Sequence, residues 1–516
     1  MTNSPLPSLA RMAALLVALA TARPAIAAAA AAADSASRAA KSGAKPDTTA
    51  PVVTHHRIVV NGKPLAYTVT TGRLPLKNEQ GETEAEIFFM AYTLDGVKSP
   101  ALRPLMFSFN GGPGSSSVWL HLGALGPKRV KMRPDGAMPP APYQLVDNPY
   151  TWLDQTDLVF IDPVGTGYSR ASKPELGRKF WGVQGDLESV GEFIRLYLTR
   201  NQRWASPLFL VGESYGTTRA AGLSGYLVER GIAFNGIILV SSILNFETAD
   251  FTRGNELPYT LYLPTYTATA WYHKKLPAEL QQRDLSSTLA EVEPWATGDY
   301  ARALALGDKL PPEQRAAVLD RLARYTGLDR GYLDLANLRV DIQHFCKELL
   351  RSERRTVGRL DSRFKGIDQQ ATGETPEFDP SLAAIRPPYT AMFNQYVRGE
   401  LGYKSDRVYY ILGGGIGPWD WGSGRSGFPD VSGSLREAFS KNPDMKLFVA
   451  SGHYDLATPY FATDYTLAHL RLEPAERSRV TTHQYEAGHM MYIDEAELGK
   501  LKRDVAAFIA GALETR

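Results

Sequence analysis

Ser214 stands at the centre of Gly212-Glu-Ser-Tyr-Gly216, after the apolar run Pro207–Val211 and before a helical pattern that reaches Arg230 and stops at Gly231. This spacing predicts a strand, a sharp turn and a helix, with the serine hydroxyl raised above the end of a sheet. The turn leaves no room for side chains two residues before or after the serine, which accounts for glycine at both places. A serine hydroxyl is a weak nucleophile unless a base takes its proton and a third group orients the base. The chain must therefore supply an imidazole and a carboxylate downstream.

Three histidines lie far enough along: His469, His483 and His489. His469 falls in a helical pattern, residues 462–470, and His483 inside the strand-like stretch 479–485. His489 follows Ala487-Gly488 just beyond that strand, where a loop can carry a ring over the sheet. The acid is read as Asp455, because Lys446-Leu-Phe-Val-Ala-Ser451 has a buried-strand pattern and runs into Gly452-His-Tyr-Asp455. Ser214, Asp455 and His489 then occur in the order that a strand–serine–helix elbow requires, each at a strand end. Attack on a carbonyl also needs backbone N–H groups aimed at the developing negative charge. Tyr215, next after the nucleophile, supplies one. The second is expected from the glycine-rich loop Asn110-Gly-Gly-Pro-Gly-Ser-Ser-Ser117, which follows the strand-like Leu105-Met-Phe-Ser-Phe109. No Gly-Lys-Ser/Thr follows that loop, so a phosphate-cradling reading is disfavoured.

These residues carry a family resemblance. Asn110–Ser117, Phe160-Ile-Asp-Pro-Val-Gly-Thr-Gly-Tyr-Ser169, Gly212–Gly216 and Ala487-Gly-His-Met490 together resemble the serine carboxypeptidases, over about residues 55–250 and 395–516. The resemblance implies an α/β-hydrolase fold and a serine carboxypeptidase that removes single residues from peptide C-termini at acidic pH. It implies Ser214, Asp455 and His489 as triad and the N–H groups of Gly112 and Tyr215 as oxyanion hole. It implies that Asn110, the Gly111 N–H and Glu213 hold the substrate's terminal carboxylate. Glu213 must then be protonated to donate a hydrogen bond, and burial favours that form. The chain departs from the family pattern at four places. Ser108 stands for a Trp and Ser115 for a disulfide-forming Cys. Ala124 stands for the acidic partner of the carboxyl before the nucleophile. Met491-Tyr492 follows the histidine where a Pro is frequent. The alternatives are an esterase or acyltransferase with the same triad, lyase chemistry, and a binding protein with a dead site.

The elements that must position these groups follow from the apolar runs. Asn61-Gly62 marks a turn between early antiparallel strands, at residues 57–60 and 86–90. Short runs at 105–109, 158–161, 208–211, 236–240 and 447–450 alternate with helical stretches, which predicts an α/β architecture with a mostly parallel sheet and helices on both faces. The core is expected at residues 53–250 and 396–516. Between them, 251–395 is charged and helix-rich and is read as an inserted cap that shapes the substrate pocket. In it, Pro311-Pro312 opens a helix and Gly327 closes it. The arginine run 351–363 is read as a solvated, ion-paired face. Residues 1–27 read as a signal peptide and 28–52 as a flexible linker, which implies a secreted or periplasmic protein without stable membrane insertion once the signal is removed.

Composition agrees with that class. Cys346 is the single cysteine among 516 residues, so no intrachain disulfide can form and a large core must supply stability. Its place in the helical pattern 340–350 reads as packing. The absence of disulfides and of Asn-x-Ser/Thr acceptors favours a bacterial protein. A net charge of +2 argues against a dedicated nucleic-acid or anionic-membrane binder. No metal or cofactor motif is present.

Overall fold

The computed structural model describes residues 50–422 and 427–514. The segment read as a signal peptide, 1–27, and most of the segment read as a linker lie outside the described residues. The chain opens with three antiparallel strands, β1 (Val52–Val60), β2 (Lys63–Lys77) and β3 (Thr83–Leu94). Asn61 and Gly62 form the two-residue link between the first two, with φ of 51° and 75°, the left-handed pair that suits a tight hairpin. The sequence reading missed β2. Its Tyr-Thr-Val-Thr-Thr stretch is too polar to register as an apolar run, yet threonine favours the pleated conformation.

The main sheet continues with β4 (Leu105–Phe109), β5 (Asp157–Ile161), β6 (Leu208–Ser214), β7 (Gly236–Ser242), β8 (Lys446–Gly452) and β9 (Val480–Tyr485). They line up as β1-β2-β3-β5-β4-β6-β7-β8-β9, and every pairing from β5 onward is parallel. Side chains alternate between the two faces with the period of a strand. Ile238, Val240, Phe448 and Ala450 enter one apolar cluster, and Ile237, Leu239, Leu447 and Val449 enter the other. Both faces are thus covered, as a parallel sheet demands. Helices α1 (Val183–Arg200) and α2 (Tyr215–Val228) lie against the second cluster. Helix α8 (Glu495–Leu513) closes the first, through Leu498, Leu501, Val505 and Phe508.

Between β7 and β8 the chain adds α3 (Leu257–Tyr272), α4 (Leu285–Trp295), α5 (Pro312–Thr326), α6 (Pro380–Gly399) and α7 (Ser432–Lys441). The first three share a separate apolar cluster, in which Tyr266 stacks on Phe345 at 4.0 Å and Cys346 is buried as a packing residue. Pro312 sits in the first turn of α5 and Gly327 ends it with a φ of 69°. By contrast, α6 packs through Tyr389, Phe393 and Tyr396 into the first cluster of the main sheet. No helix among the described residues is long and apolar enough to cross a membrane.

One buried ion pair joins these layers beneath the glycine-rich loop. Arg219 on α2 donates to Asp186 on α1 at 2.7 Å and to the backbone oxygen of Asn110, at the end of β4, at 2.7 Å. Both side chains are almost wholly enclosed. Burial raises the pKa of Asp186, and the Arg219 charge and hydrogen bond work against that rise. Replacing Arg219 by Met strands the carboxylate and frees the Asn110 carbonyl, so urea denaturation of R219M is expected to show a loss of about 3–5 kcal/mol.

Candidate active site

Ser214 closes β6 and Tyr215 begins α2 with no residue between them, at a backbone φ of 60° and ψ of −132°. That conformation is costly for a residue with a Cβ and persists only when the surroundings impose it. The surroundings do so by crowding. A Cβ on Gly212 would lie 2.0 Å from the Gly216 carbonyl oxygen, and one on Gly216 would lie 2.9 Å from the Phe109 oxygen. Gly111 is as constrained, since its Cβ would fall 2.3 Å from the Tyr215 nitrogen. The glycine-rich loop therefore lies directly on the start of α2. Gly112, next along, is exposed and has a φ of 99°, which glycine adopts without strain. Ser214 is partly exposed, whereas its flanking residues Glu213 and Tyr215 are buried.

Asp455 and His489 arrive from the ends of β8 and β9. Asp455 is fully enclosed, and its Oδ1 accepts the backbone N–H groups of Ala457 at 2.8 Å and Thr458 at 3.0 Å. Its Oδ2 accepts the Thr458 hydroxyl at 2.7 Å and meets His489 Nδ1 at 2.8 Å. With Nδ1 engaged, Nε2 is the ring nitrogen left for proton transfer. Ser241 and Ser242, at the end of β7, link the two halves of the site. The Ser241 hydroxyl donates to the His489 carbonyl at 2.6 Å, and Ser242 is the register partner of Ser214. Burial acts to lower the His489 pKa, but the charge and hydrogen bond of Asp455, with the charge of Glu213, hold it above the ordinary histidine value.

Glu213 faces inward beside the nucleophile. Its Oε1 accepts the Asn110 side-chain amide at 2.9 Å, and its Oε2 accepts the Tyr492 hydroxyl at 2.5 Å. Asn110 Oδ1 in turn accepts the Leu120 N–H at 3.0 Å, which fixes which end of the amide faces Glu213. Burial pushes the Glu213 carboxyl up to about 7, against the lowering effects of His489, Tyr492 and Asn110. The Tyr215 ring points away from this acid and meets Trp419 at 5.3 Å and Trp421 at 5.9 Å.

Comparison with known proteins bears on this arrangement. Residues 63–274 match the family described as serine carboxypeptidase. The matched segment is less than half of the chain. It contains the glycine-rich loop, the Phe160–Ser169 motif and the serine elbow. Serine carboxypeptidase-like 13 of Arabidopsis thaliana is 30% identical over 155 residues, which are 30% of this chain and 34% of that protein. Serine carboxypeptidase-like 10 of the same plant is 25% identical over 203 residues, 38% of this chain and 43% of its own. The chain thus spans about a third to two-fifths of the length of these curated relatives. A solved structure, a prohormone-processing carboxypeptidase from Saccharomyces cerevisiae, aligns over 86% of this chain and 91% of its own, at 16% identity and a TM-score of 0.50. At that identity the likeness speaks for the fold alone, and the fold is that of the α/β-hydrolases.

The structure gathers Ser214, Asp455, His489, Asn110, Gly111, Gly112, Glu213 and Tyr215 around one end of the sheet. Where the family pattern has a Cys, Ser115 accepts the Trp119 indole N–H at 2.9 Å and bridges to Leu412. Two further features escaped the sequence reading. The first is Tyr492, noted only as a departure from the family. The second is residues 359–363, within the arginine run read as solvated. The Arg359 carbonyl accepts the Leu456 N–H at 3.1 Å and the Leu360 carbonyl accepts the His489 N–H at 2.7 Å. Asp361 accepts the Gly488 N–H at 3.1 Å, and the Ser362 N–H donates to the Tyr454 carbonyl at 2.9 Å. Arg363 is largely buried, not solvated, and pairs with Asp361 at 2.8 Å and Asp494 at 3.2 Å. The rest of the run matches the expectation better, with Arg354 and Arg359 exposed. An aspartate two residues before an arginine was the available signal, but nothing local reveals a partner 131 residues away.

The balance at His489 gives a direct test. Removing the Asp455 charge leaves burial with less opposition, so in D455N the His489 pKa is expected to fall below its ordinary 6.5, read by NMR titration of the ring. An unchanged midpoint would show that another group sustains it.

Proposed function

We propose that the protein is a serine carboxypeptidase that cleaves the C-terminal peptide bond through an acyl-enzyme. The observation that carries this reading is a buried carboxyl, Glu213, held one residue from the nucleophile and titrating near neutrality. A carboxyl kept neutral there donates a hydrogen bond to an anionic substrate terminus, where a carboxylate would repel it. Asn110 and the Gly111 N–H complete the receptor for that terminus. Ser214 Oγ attacks the adjacent carbonyl carbon while His489 takes its proton, and Asp455 stabilises the imidazolium. The oxyanion meets the N–H groups of Gly112 and Tyr215. The tetrahedral carbon then expels the terminal amino acid, which takes the proton from His489. Water repeats the sequence on the ester and frees Ser214. The helical insertion, about residues 251–395, is read as a cap over this site. The leader-like residues 1–27 support secretion or export to the periplasm.

Activity requires a proton on Glu213 and none on His489. The two groups are coupled: an ionised Glu213 raises the His489 pKa, and a charged His489 lowers that of Glu213. Free-acid peptides are therefore expected to lose kcat/KM as pH rises through about 7, where Glu213 ionises. The fall should be about tenfold per unit beyond it. Amidated peptides and simple esters, lacking the terminal charge, should show no such fall. Mass spectrometry of each substrate from pH 4 to 9 reads this out, with ladders shortened from the C-terminus. Equal cleavage of free-acid and amidated peptides at pH 5 would overturn the carboxypeptidase assignment. In S214A, cleavage and labelling by a fluorophosphonate should both vanish, and retention of either would remove Ser214 as the nucleophile.

A further inference from the structure

The Glu213 carboxyl has an unusual set of companions. Asn110 and Tyr492 are the side chains that hydrogen-bond it, and Ala124, on the neighbouring turn, offers no acid. Tyr492 is almost wholly buried and belongs to the short turn Met491–Ile493, three residues beyond His489. One loop therefore brings the base toward Ser214 and a phenol onto Glu213, the residue beside it. The ring is admitted by a glycine. A Cβ on Gly123 would lie 2.4 Å from Tyr492 Cε2 and 2.7 Å from the Tyr389 hydroxyl. Tyr389 comes from α6 and feels the Glu213 charge, and Asp455 and His489 face the same carboxyl from the ends of β8 and β9.

We infer that Tyr492 is a positioning residue for Glu213: a fixed hydrogen-bond donor that orients the carboxyl toward the substrate terminus and leaves Glu213 as the one acid of the clamp. A phenol differs from a second carboxyl in two ways. It does not share or exchange a proton with Glu213 in the working range, because burial and the Glu213 charge hold Tyr492 well above the ordinary tyrosine value. Its hydrogen bond also favours the ionised acid, so it draws the Glu213 midpoint downward against burial. The clamp itself then holds and releases a single proton. The inference builds on the proposed role of Glu213, but its geometry stands independently of the reaction.

The test follows Glu213 directly. In protein labelled with 13C at glutamate side-chain carboxyls, the Glu213 signal is assigned by its loss in E213Q. In the wild type it should titrate with a slope no greater than one, since coupling to His489 only broadens the transition. In Y492F the loss of a donor to the charged form should raise the midpoint by about one pH unit. G123A, which displaces the ring, should shift it the same way and decides the question if Y492F does not fold. The alkaline limb of kcat/KM for free-acid peptides should move by the same amount, while the amidated-peptide profile stays in place. A midpoint unmoved or lowered in the folded variants, or a wild-type slope well above one, overturns the inference. Should the Glu213 midpoint shift while the wild type ignores the substrate's free carboxylate, the carboxypeptidase reading fails and the Tyr492 assignment stands.

Discussion

Three stretches of backbone meet at the end of β6 with no side chain between them, and the rest of the site depends on that contact. Gly111, Gly212 and Gly216 leave the strand end, the first turn of α2 and the glycine-rich loop at distances no larger residue tolerates. The contact fixes Ser214 in a strained conformation, exposes it, and sets the Tyr215 N–H beside the loop that carries Gly112. Arg219 and Asp186 anchor the underside through the Asn110 carbonyl. The strain is sustained from below by a buried charge pair and from the sides by a parallel sheet with apolar cover on both faces.

Above that contact burial acts on two neighbours, prevailing at Glu213 and being overcome at His489. It favours the neutral form of Glu213 and the neutral form of His489. Asp455, held by four donors, supplies the charge that keeps His489 basic enough to accept a proton. Glu213 has two donors and no formal cation in hydrogen-bond contact, so its charge is only partly supported. Two carboxyls enclosed to nearly the same degree thus sit in different hydrogen-bond settings, one with four partners and one with two.

Much of this was legible in the chain. The runs at Leu105–Phe109 and Lys446–Gly452 are strands because short, continuous apolar segments flanked by turn residues suit a sheet covered on both faces. The elbow could be read because its glycines are a local steric demand. What stayed hidden has a common cause. Strand β2 pairs along its length, and its buried Tyr67, Val69, Leu74 and Leu76 are separated from one another and so form no continuous apolar run. Tyr492 acquires its role from Gly123 and Glu213, and Arg363 from Asp494, all far along the chain. Spacing within a segment reports local geometry, whereas these partners are set by where the loops land once the sheet has formed.

Residues 359–363 have a consequence for when the enzyme comes into being. They hydrogen-bond to the loops that carry Asp455 and His489, so the segment lies across two elements that follow it in the chain, the second 127 residues later. The serine elbow is complete much earlier in synthesis. Until β8 and β9 dock and find this segment waiting, Asp455 and His489 are not in place. Under the proposed activity on chain ends, such a delay spares the polypeptides it meets while still being made.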